Sequence, residues 1–577
     1  MTAAPPGRCR LISSTQPSQA MPFPRRFRCI IPIAILAALT ISAVAAAPAL
    51  PQLRQQGSAT QLIVDGQPFL VRGGELSNSH GEPDFLRPSW PKLKALNLNT
   101  VVVPVYWDII EPAEGRFAWA TVDGLLADAR ANGMRLVLLW FGSWKNSMSC
   151  YVPAWVKTDP VRFPRARDSA GQPLEILTPF EPANRDTDAR AFAALMRHLR
   201  EVDGVQCTVI MVQVENEIGM IPEARDRYPA ADAAYAGPVP AELLAYLSAH
   251  RDQLAPELRD RWVSRGARTS GTWTEVFGED PASAEIFMAW TFGRYVQTVA
   301  AAGKAEHPLP LYVNAALIRP AFQPGQYPSA GPLPHLIDVW RAAAPAIDLL
   351  SPDIYFPNFT EWANRYARAG NPLFIPEALR STDASVNSLY AFGACNAVGF
   401  APFGIESIGE PAESLLKACN DLVAQLTPLI TAHQGRGTMT ALLPPAAEQR
   451  KPHEVSLGGV TLSVTYERLE SPALADGVIN EAGDRSASRS VLPAGAIVIQ
   501  LGPDEFLFAG IGVTVTFAAP RPGDPWLGIL QCEEGRYEAG EWRHIRWLNG
   551  DQTHQGRHVR LEPGRFTLQR VKLYRYR

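Results

Sequence analysis

Between about residues 60 and 430 the chain alternates short apolar, β-branched runs with amphipathic stretches, eight times over. Runs too short for helices, separated by segments with a helical period, are what β/α units of a parallel sheet require. The runs fall at 69–73, 100–105, 135–140, 208–214, 311–314, 347–351, 373–376 and 397–402. Helices are predicted at 90–96, 122–131, 188–201, 284–305, 336–344, 359–369, 385–395 and 412–432. Eight such units predict an α/β fold closed as a (β/α)8 TIM barrel. Inserts after the third run (142–187) and the fourth (219–281) follow strand ends where a barrel builds its site, so both are expected to shape access to it. Past about residue 435 the helical period stops. Runs at 455–467, 496–501, 505–508, 513–517, 526–532, 543–548 and 566–576, broken by Gly, Pro and Asp, predict a C-terminal all-β sandwich. The expected division is 1–47 as a leader, 48–434 as the barrel and 435–577 as the β-domain.

The leader is read from Arg25, Arg26 and Arg28, the apolar run 29–44 and the small residues 43–47. This is the pattern of a secretory signal, with Met21 a candidate start, and the run is short for a membrane span. The twin arginine lacks the usual residues after it, so the export route stays open. Removing 1–47 deletes five arginines and no acid, taking the formal charge from −3 to −8. A mildly acidic exported protein, with the periplasm as its expected compartment, has no electrostatic basis for binding nucleic acid or anionic lipid, and no stable membrane insertion is expected once the leader is cleaved. An assembly of identical copies stays open. Cys150, Cys207, Cys395, Cys419 and Cys532 remain, odd in number and without CxxC spacing. They offer no zinc motif and no disulfide framework, though a single bridge stays open. His80 has no second histidine at ligand spacing, so neither a metal nor another cofactor is expected.

Two glutamates stand where the fourth and seventh runs stop. Glu217 closes Val214-Glu215-Asn216-Glu217, and Glu377 follows Phe374-Ile375-Pro376. Strand carboxyl ends face the mouth of a β/α barrel, so the two side chains are expected to meet there. Taken alone, Glu-Asn-Glu reads equally well as a solvated loop; the matching position of Glu377 is what favours a site. One carboxyl that donates a proton and one that attacks the anomeric carbon are the minimum equipment for cleaving a glycosidic bond with retention.

The segment Gln213-Val214-Glu215-Asn216-Glu217-Ile218-Gly219 resembles the QxENExG segment of family 35 β-galactosidases, within the clan-A glycoside hydrolases. Val103–Pro112 resembles that family's second-strand segment, and Arg72-Gly73-Gly74-Glu75-Leu76 its first-strand SGE segment. The resemblance spans roughly 60–410 and is strongest around strands one, two and four. It implies that Glu217 is the acid/base, Glu377 the nucleophile, and that Asn216 and Tyr106 contact the sugar. The family's third-strand Ala-Glu-Trp is replaced by Gly142-Ser143-Trp144, which removes a carboxylate contact that Lys145 or Asn146 would have to replace. Ser351-Pro352-Asp353-Ile354-Tyr355 is closer to neighbouring clan-A families, in which such a tyrosine supports the nucleophile, here Tyr355. The tail resembles the β-domain of a bacterial branch of family-35-like enzymes.

Trp144 is the aromatic expected to stack on a sugar face, whereas Trp140 and Trp155 are expected to pack. Trp107 is open between packing and the site. Glu75 and Glu111 are expected to act as hydrogen-bond partners, and Glu406 as pocket lining or surface. The resulting expectation is an enzyme, a retaining exo-β-galactosidase acting by double displacement on plant-type oligo- or polysaccharides. Its alternatives are a β-glucosidase, a β-mannosidase or an endo-acting relative, and, from a different class, a non-catalytic carbohydrate-binding protein.

Overall fold

A computed structural model describes residues 49–319, 321–445, 453–467 and 492–577. The expected leader therefore lies outside the described residues. The described residues form a single compact unit.

Eight parallel strands form the barrel. They are β1 (Val71–Glu75), β2 (Thr100–Tyr106), β3 (Arg135–Lys145), β4 (Val209–Asn216), β5 (Leu311–Ala316), β6 (Leu349–Ile354), a broken β7 (Phe374–Ile375 and Glu377–Ala378) and β8 (Gly399–Phe400). Each pairs in parallel with the next, and β8 returns to β1 through Gly399↔Val71. The break in β7 falls at Pro376, which has no N–H to give a ladder. The half before it pairs with β8 (Phe374↔Gly399) and the half after it with β6 (Asp353↔Glu377), so the strand closes the barrel from both sides.

Side chains alternate along each strand. One set fills the barrel interior with Val71, Val102, Val137, Leu139, Met211, Tyr312, Leu349 and Phe374, among others. The other set packs against surrounding helices, of which Pro182–Asp203 and Pro281–Glu306 are the longest on the β3–β5 side. A three-stranded antiparallel sheet, Gln52–Gln56, Ala59–Val64 and Gln67–Phe69, puts Leu62 and Val64 into the interior among residues that begin the barrel strands. It plugs the end opposite the strand carboxyl termini, and the run-by-run reading gave no sign of it. Gly435 seats this sheet: its carbonyl accepts from Ser58 N at 3.0 Å, its φ is +71°, and a Cβ there would lie 2.0 Å from the Gln56 oxygen. Gly435→Ala is therefore expected to cost roughly 2–4 kcal/mol, from the left-handed backbone and the overlap together. A denaturant titration measures it, and a loss under 0.5 kcal/mol would contradict this seating.

Beyond the helix Ala412–His433 come two antiparallel sheets, one of six strands and one of four. Alternation again explains the layering. In Gly495–Gly502 and Glu505–Ile511, Ala496, Val498, Phe506 and Phe508 face the four-stranded sheet, while Ile497, Ile499, Leu507 and Ala509 join the barrel-side core. These two strands of the six-stranded sheet are thus buried on both faces, and the C-terminal region is a β-sandwich. The run expected at 455–467 is a hairpin, His453–Leu457 with Val460–Tyr466, turned at Gly458-Gly459. Met439–Leu442 and Val559–Leu561 are further strands, too short to stand out by pattern. All five described cysteines are free. Among the described residues, no helix is long and apolar enough to cross a membrane.

Candidate active site

Seven of the eight strands reach past their expected ends at the carboxyl side, β3 by five residues to Lys145 and β4 by two to Asn216. Those extra residues carry the site. Glu217 follows β4 with φ +43°, and Glu215 has φ +61°. Asn146 and Ser147, just past β3, are also left-handed, at +49° and +62°. Such backbone costs on the order of 1–3 kcal/mol per residue and is kept where surrounding structure holds a special geometry. Here β3 and β4 brace one another: Asn146 N donates to Asn216 O at 3.2 Å, and Ser147 N to Glu217 O at 3.1 Å.

This geometry sorts the Glu-Asn-Glu segment. Glu215 turns outward and accepts from Trp144 N at 2.7 Å. Burial, and then the Asp188 charge, hold its carboxyl well above the usual carboxylate range. Asn216 and Glu217 turn inward. The Asn216 amide donates to Glu377 Oε1 at 3.5 Å and its carbonyl accepts from Lys145 Nζ at 2.8 Å. Glu217 accepts from the Asn146 amide, and its backbone N–H donates to Asn314 Oδ1 at 2.9 Å.

Glu217 and Glu377 are both buried, at 6% and 4% exposure. One carboxylate oxygen from each, together with one from Asp353, lie within 4.8 Å of one another. Tyr355 Oη donates to Glu377 Oε2 at 2.6 Å, while Asn314 Nδ2 reaches Asp353 at 2.7 Å and Glu377 Oε1 at 3.4 Å. Glu75, fully buried at the end of β1, completes a group of four carboxyls. The Lys145 ammonium acts on this group as a nearby positive charge. Burial, and then the Glu377 charge, push the Glu217 carboxyl up to about 7. The same two causes hold Glu75 and Asp353 well above the carboxylate range. The three clustered carboxylates could reach a cation; Asn314, Asn216, Tyr355 and Asn146 already donate to their oxygens, while Asp353 Oδ1 receives no hydrogen bond.

A carboxyl whose proton is held more tightly in the folded chain contributes stability at low pH, and that stability is lost as pH rises through its raised value. For Glu217, moved from 4.5 to about 7, the loss is on the order of 3 kcal/mol, and Glu75, Glu215 and Asp353 act in the same direction. The thermal unfolding midpoint is therefore expected to fall between pH 5 and pH 8. A midpoint that holds or climbs over that range would contradict the clustered-acid geometry.

Glu217, Glu377, Asn216 and Tyr355 are thus brought together. Tyr106 faces the barrel interior, but its hydroxyl is taken up by the loop after β1, donating to Asn78 O at 2.9 Å and accepting from Gly81 N at 3.0 Å. Trp144 requires a correction. Its ring is fully buried, edge-on to Phe292 and Tyr295 at centroid distances of 5.4 and 4.6 Å, so it packs the outer layer of the barrel and cannot stack on a sugar. The pairing of β3 is irregular past Trp140, and its last two residues part there, Trp144 outward and Lys145 inward to Asn216. Ser143 also belongs to that outer layer, against Tyr295 Oη at 2.8 Å. Glu111 holds Trp107 Nε1 at 2.8 Å, and Glu406 accepts from Ser77 and His80 at 2.5 and 2.7 Å. Asn314 and Asp353 were not anticipated. Their signal was a polar side chain inside an otherwise apolar strand, next to residues singled out for other reasons.

Residues 416–560 match the model of a domain of unknown function, DUF5597. The chain is similar to a β-galactosidase of Xanthomonas manihotis, 30% identical over 113 residues, which are 19% of this chain and 19% of that protein. It therefore spans about a fifth of that relative's length. Similar solved structures include the β-galactosidase of the psychrophilic Marinomonas ef1 (14% identity, TM-score 0.43, 62% of this chain and 60% of that one). Others are the cold-adapted β-galactosidase of Rahnella sp. R3 (16%, 0.42, 63% and 57%) and the catalytic domain of a β-amylase from Paenibacillus polymyxa (13%, 0.40, 60% and 96%).

Proposed function

We propose that the protein is a retaining β-galactosidase that removes terminal β-galactosyl units from plant-type oligo- or polysaccharides by double displacement. The observation that carries this reading is the approach of the Glu217 and Glu377 carboxyls to within 4.8 Å at the barrel mouth, with burial holding a proton on Glu217 up to about 7. Carboxyl groups about 5–5.5 Å apart leave no room for an intervening water, whereas inversion needs about 6.5–9.5 Å. In the first step a Glu377 oxygen attacks the anomeric carbon while Glu217 gives its proton to the departing glycosidic oxygen. In the second, Glu217 takes a proton from water, whose oxygen displaces Glu377. Tyr355 and Asn216 orient the two oxygens of Glu377. The leader expected at 1–47 puts this activity in the periplasm.

A second reading, a β-glucosidase, β-mannosidase or endo-acting relative, is favoured by the third strand. The residues it brings to the site are Lys145 and Asn146, neither of them a carboxylate. A panel of nitrophenyl β-glycosides separates the two. Galactoside turnover at least about tenfold above glucoside and mannoside is expected, with β-galactose as the first-formed product by NMR. A glucoside or mannoside preference would replace the sugar assignment, and first-formed α-sugar would remove the mechanism.

A further inference from the structure

Glu75, expected from the sequence to be a hydrogen-bond partner, is the last residue of β1. It is fully buried, and neither of its carboxyl oxygens receives a hydrogen bond from an N–H or hydroxyl group. An unpaired buried carboxylate is among the costliest groups a protein can hold. Burial first, and then the Glu377 carboxyl as a nearby charge and hydrogen-bond partner, hold the proton on Glu75. Two buried carboxyls in contact share a proton, because side by side they cannot both be charged. The groups facing Glu75 are Glu377 on β7, Lys145 on β3, Glu217 after β4, Asp353 on β6, and the neutral hydroxyls of Tyr312 on β5 and Tyr355 after β6. Lys145 is already engaged by Asn216 and Asn146, so it does not neutralise Glu75 through a contact. The backbone leaves Glu75 little freedom: its N–H donates to Pro402 O at 2.9 Å, bridging β1 to the end of β8.

We propose that Glu75 is a positioning residue which, as the neutral acid, donates its O–H to Glu377 and stabilises that carboxylate as the leaving group when the glycosyl–enzyme breaks down. This rests on Glu377 being the nucleophile. In the breakdown step the water oxygen bonds to the anomeric carbon, Glu217 takes the water proton, and the bond from carbon to the Glu377 oxygen breaks with its electron pair passing to Glu377. The Glu75 proton stays on Glu75 throughout and strengthens its hydrogen bond as charge builds on Glu377. The same bond makes free Glu377 a slightly poorer nucleophile, so breakdown should suffer from its loss and formation should not.

The test compares E75Q and E75L, using a dinitrophenyl β-galactoside whose leaving group needs no proton. E75L has no donor and is expected to slow breakdown about 30-fold, the value of a hydrogen bond to a charged group, with a product burst, a lower KM and an unimpaired burst rate. E75Q presents an amide N–H at the same place and should stay within about threefold of the parent. It should also lose the parent's fall in kcat at alkaline pH, since no proton is left to ionise there. E75L breaking down at the parent rate, or a folded E75Q as slow as E75L, overturns the proposal. Should E75L fail to fold, E75Q decides alone: an alkaline limb identical to the parent's overturns it. Peptide mapping of the trapped fluorosugar intermediate keeps the premise separate. Label on a residue other than Glu377 removes the assigned nucleophile, whereas label on Glu377 with unchanged breakdown in E75L removes only the role of Glu75.

Discussion

Glu377→Ala is expected to lose at least about 10⁴-fold in kcat while the chain remains folded and still binds sugar. The loss should be this large because two-step displacement has no route around its nucleophile. Water cannot replace the carboxylate, since with Glu217 and Glu377 within 4.8 Å there is no ordered position for it on the far face of the sugar. Removing the side chain opens that space. A small anion such as azide should then enter, attack the anomeric carbon of an activated galactoside and restore turnover, giving the α-galactosyl azide, inverted relative to the substrate. The alanine change also takes away the acceptor of the Tyr355 and Asn216 hydrogen bonds, so part of any loss could come from local rearrangement. Azide rescue separates the causes, because a disordered site would not be rescued. Undiminished hydrolysis by this variant, or a β-azide product, would remove Glu377 from its assigned role.

Glu217→Gln should show the complementary pattern. The lost proton matters in proportion to how badly the leaving group needs it, so hydrolysis of an unactivated galactoside should fall about 10²–10⁴-fold. Formation of the glycosyl–enzyme from a dinitrophenyl galactoside should change little. The pH profile carries the sign. Glu217 is competent as an acid while protonated, which burial and the Glu377 charge extend up to about 7. In the parent, kcat/KM for a poor leaving group should therefore hold below pH 7 and drop above it. The glutamine variant should lack that alkaline limb. Retention of the limb in the variant would assign it to a group other than Glu217. Substitution should also leave the Asn146 amide without its carboxylate, which is a local loss and predicts no change in fold.

The barrel was legible because its strands carry the signal themselves. Eight apolar runs alternating with helical-period segments leave few other packings, and the eight strands appear in the expected order. What was misjudged lay at their ends. β3 was expected to stop at residue 140 and runs to Lys145, because the residues that extend it are polar and look like loop until the interior they face is known. The three-stranded plug was missed for the opposite reason: its turns are short and its strands are only partly apolar.

By itself the sequence determined the fold class and marked Glu217 and Glu377 as acids at strand ends, since each follows from local pattern: apolar periodicity, and an acid where a run stops. The tertiary structure decided which neighbours count. Trp144 and Lys145 are adjacent in sequence, yet one goes into the packed outer layer and the other to the site. Glu215 and Glu217 are separated in the same way by left-handed backbone. Asn314, Asp353 and Glu75 come from β5, β6 and β1, hundreds of residues apart in part, and only closure of the barrel puts their polar atoms around Glu377. Interactions across a barrel depend on distance through space, which no spacing along the chain encodes.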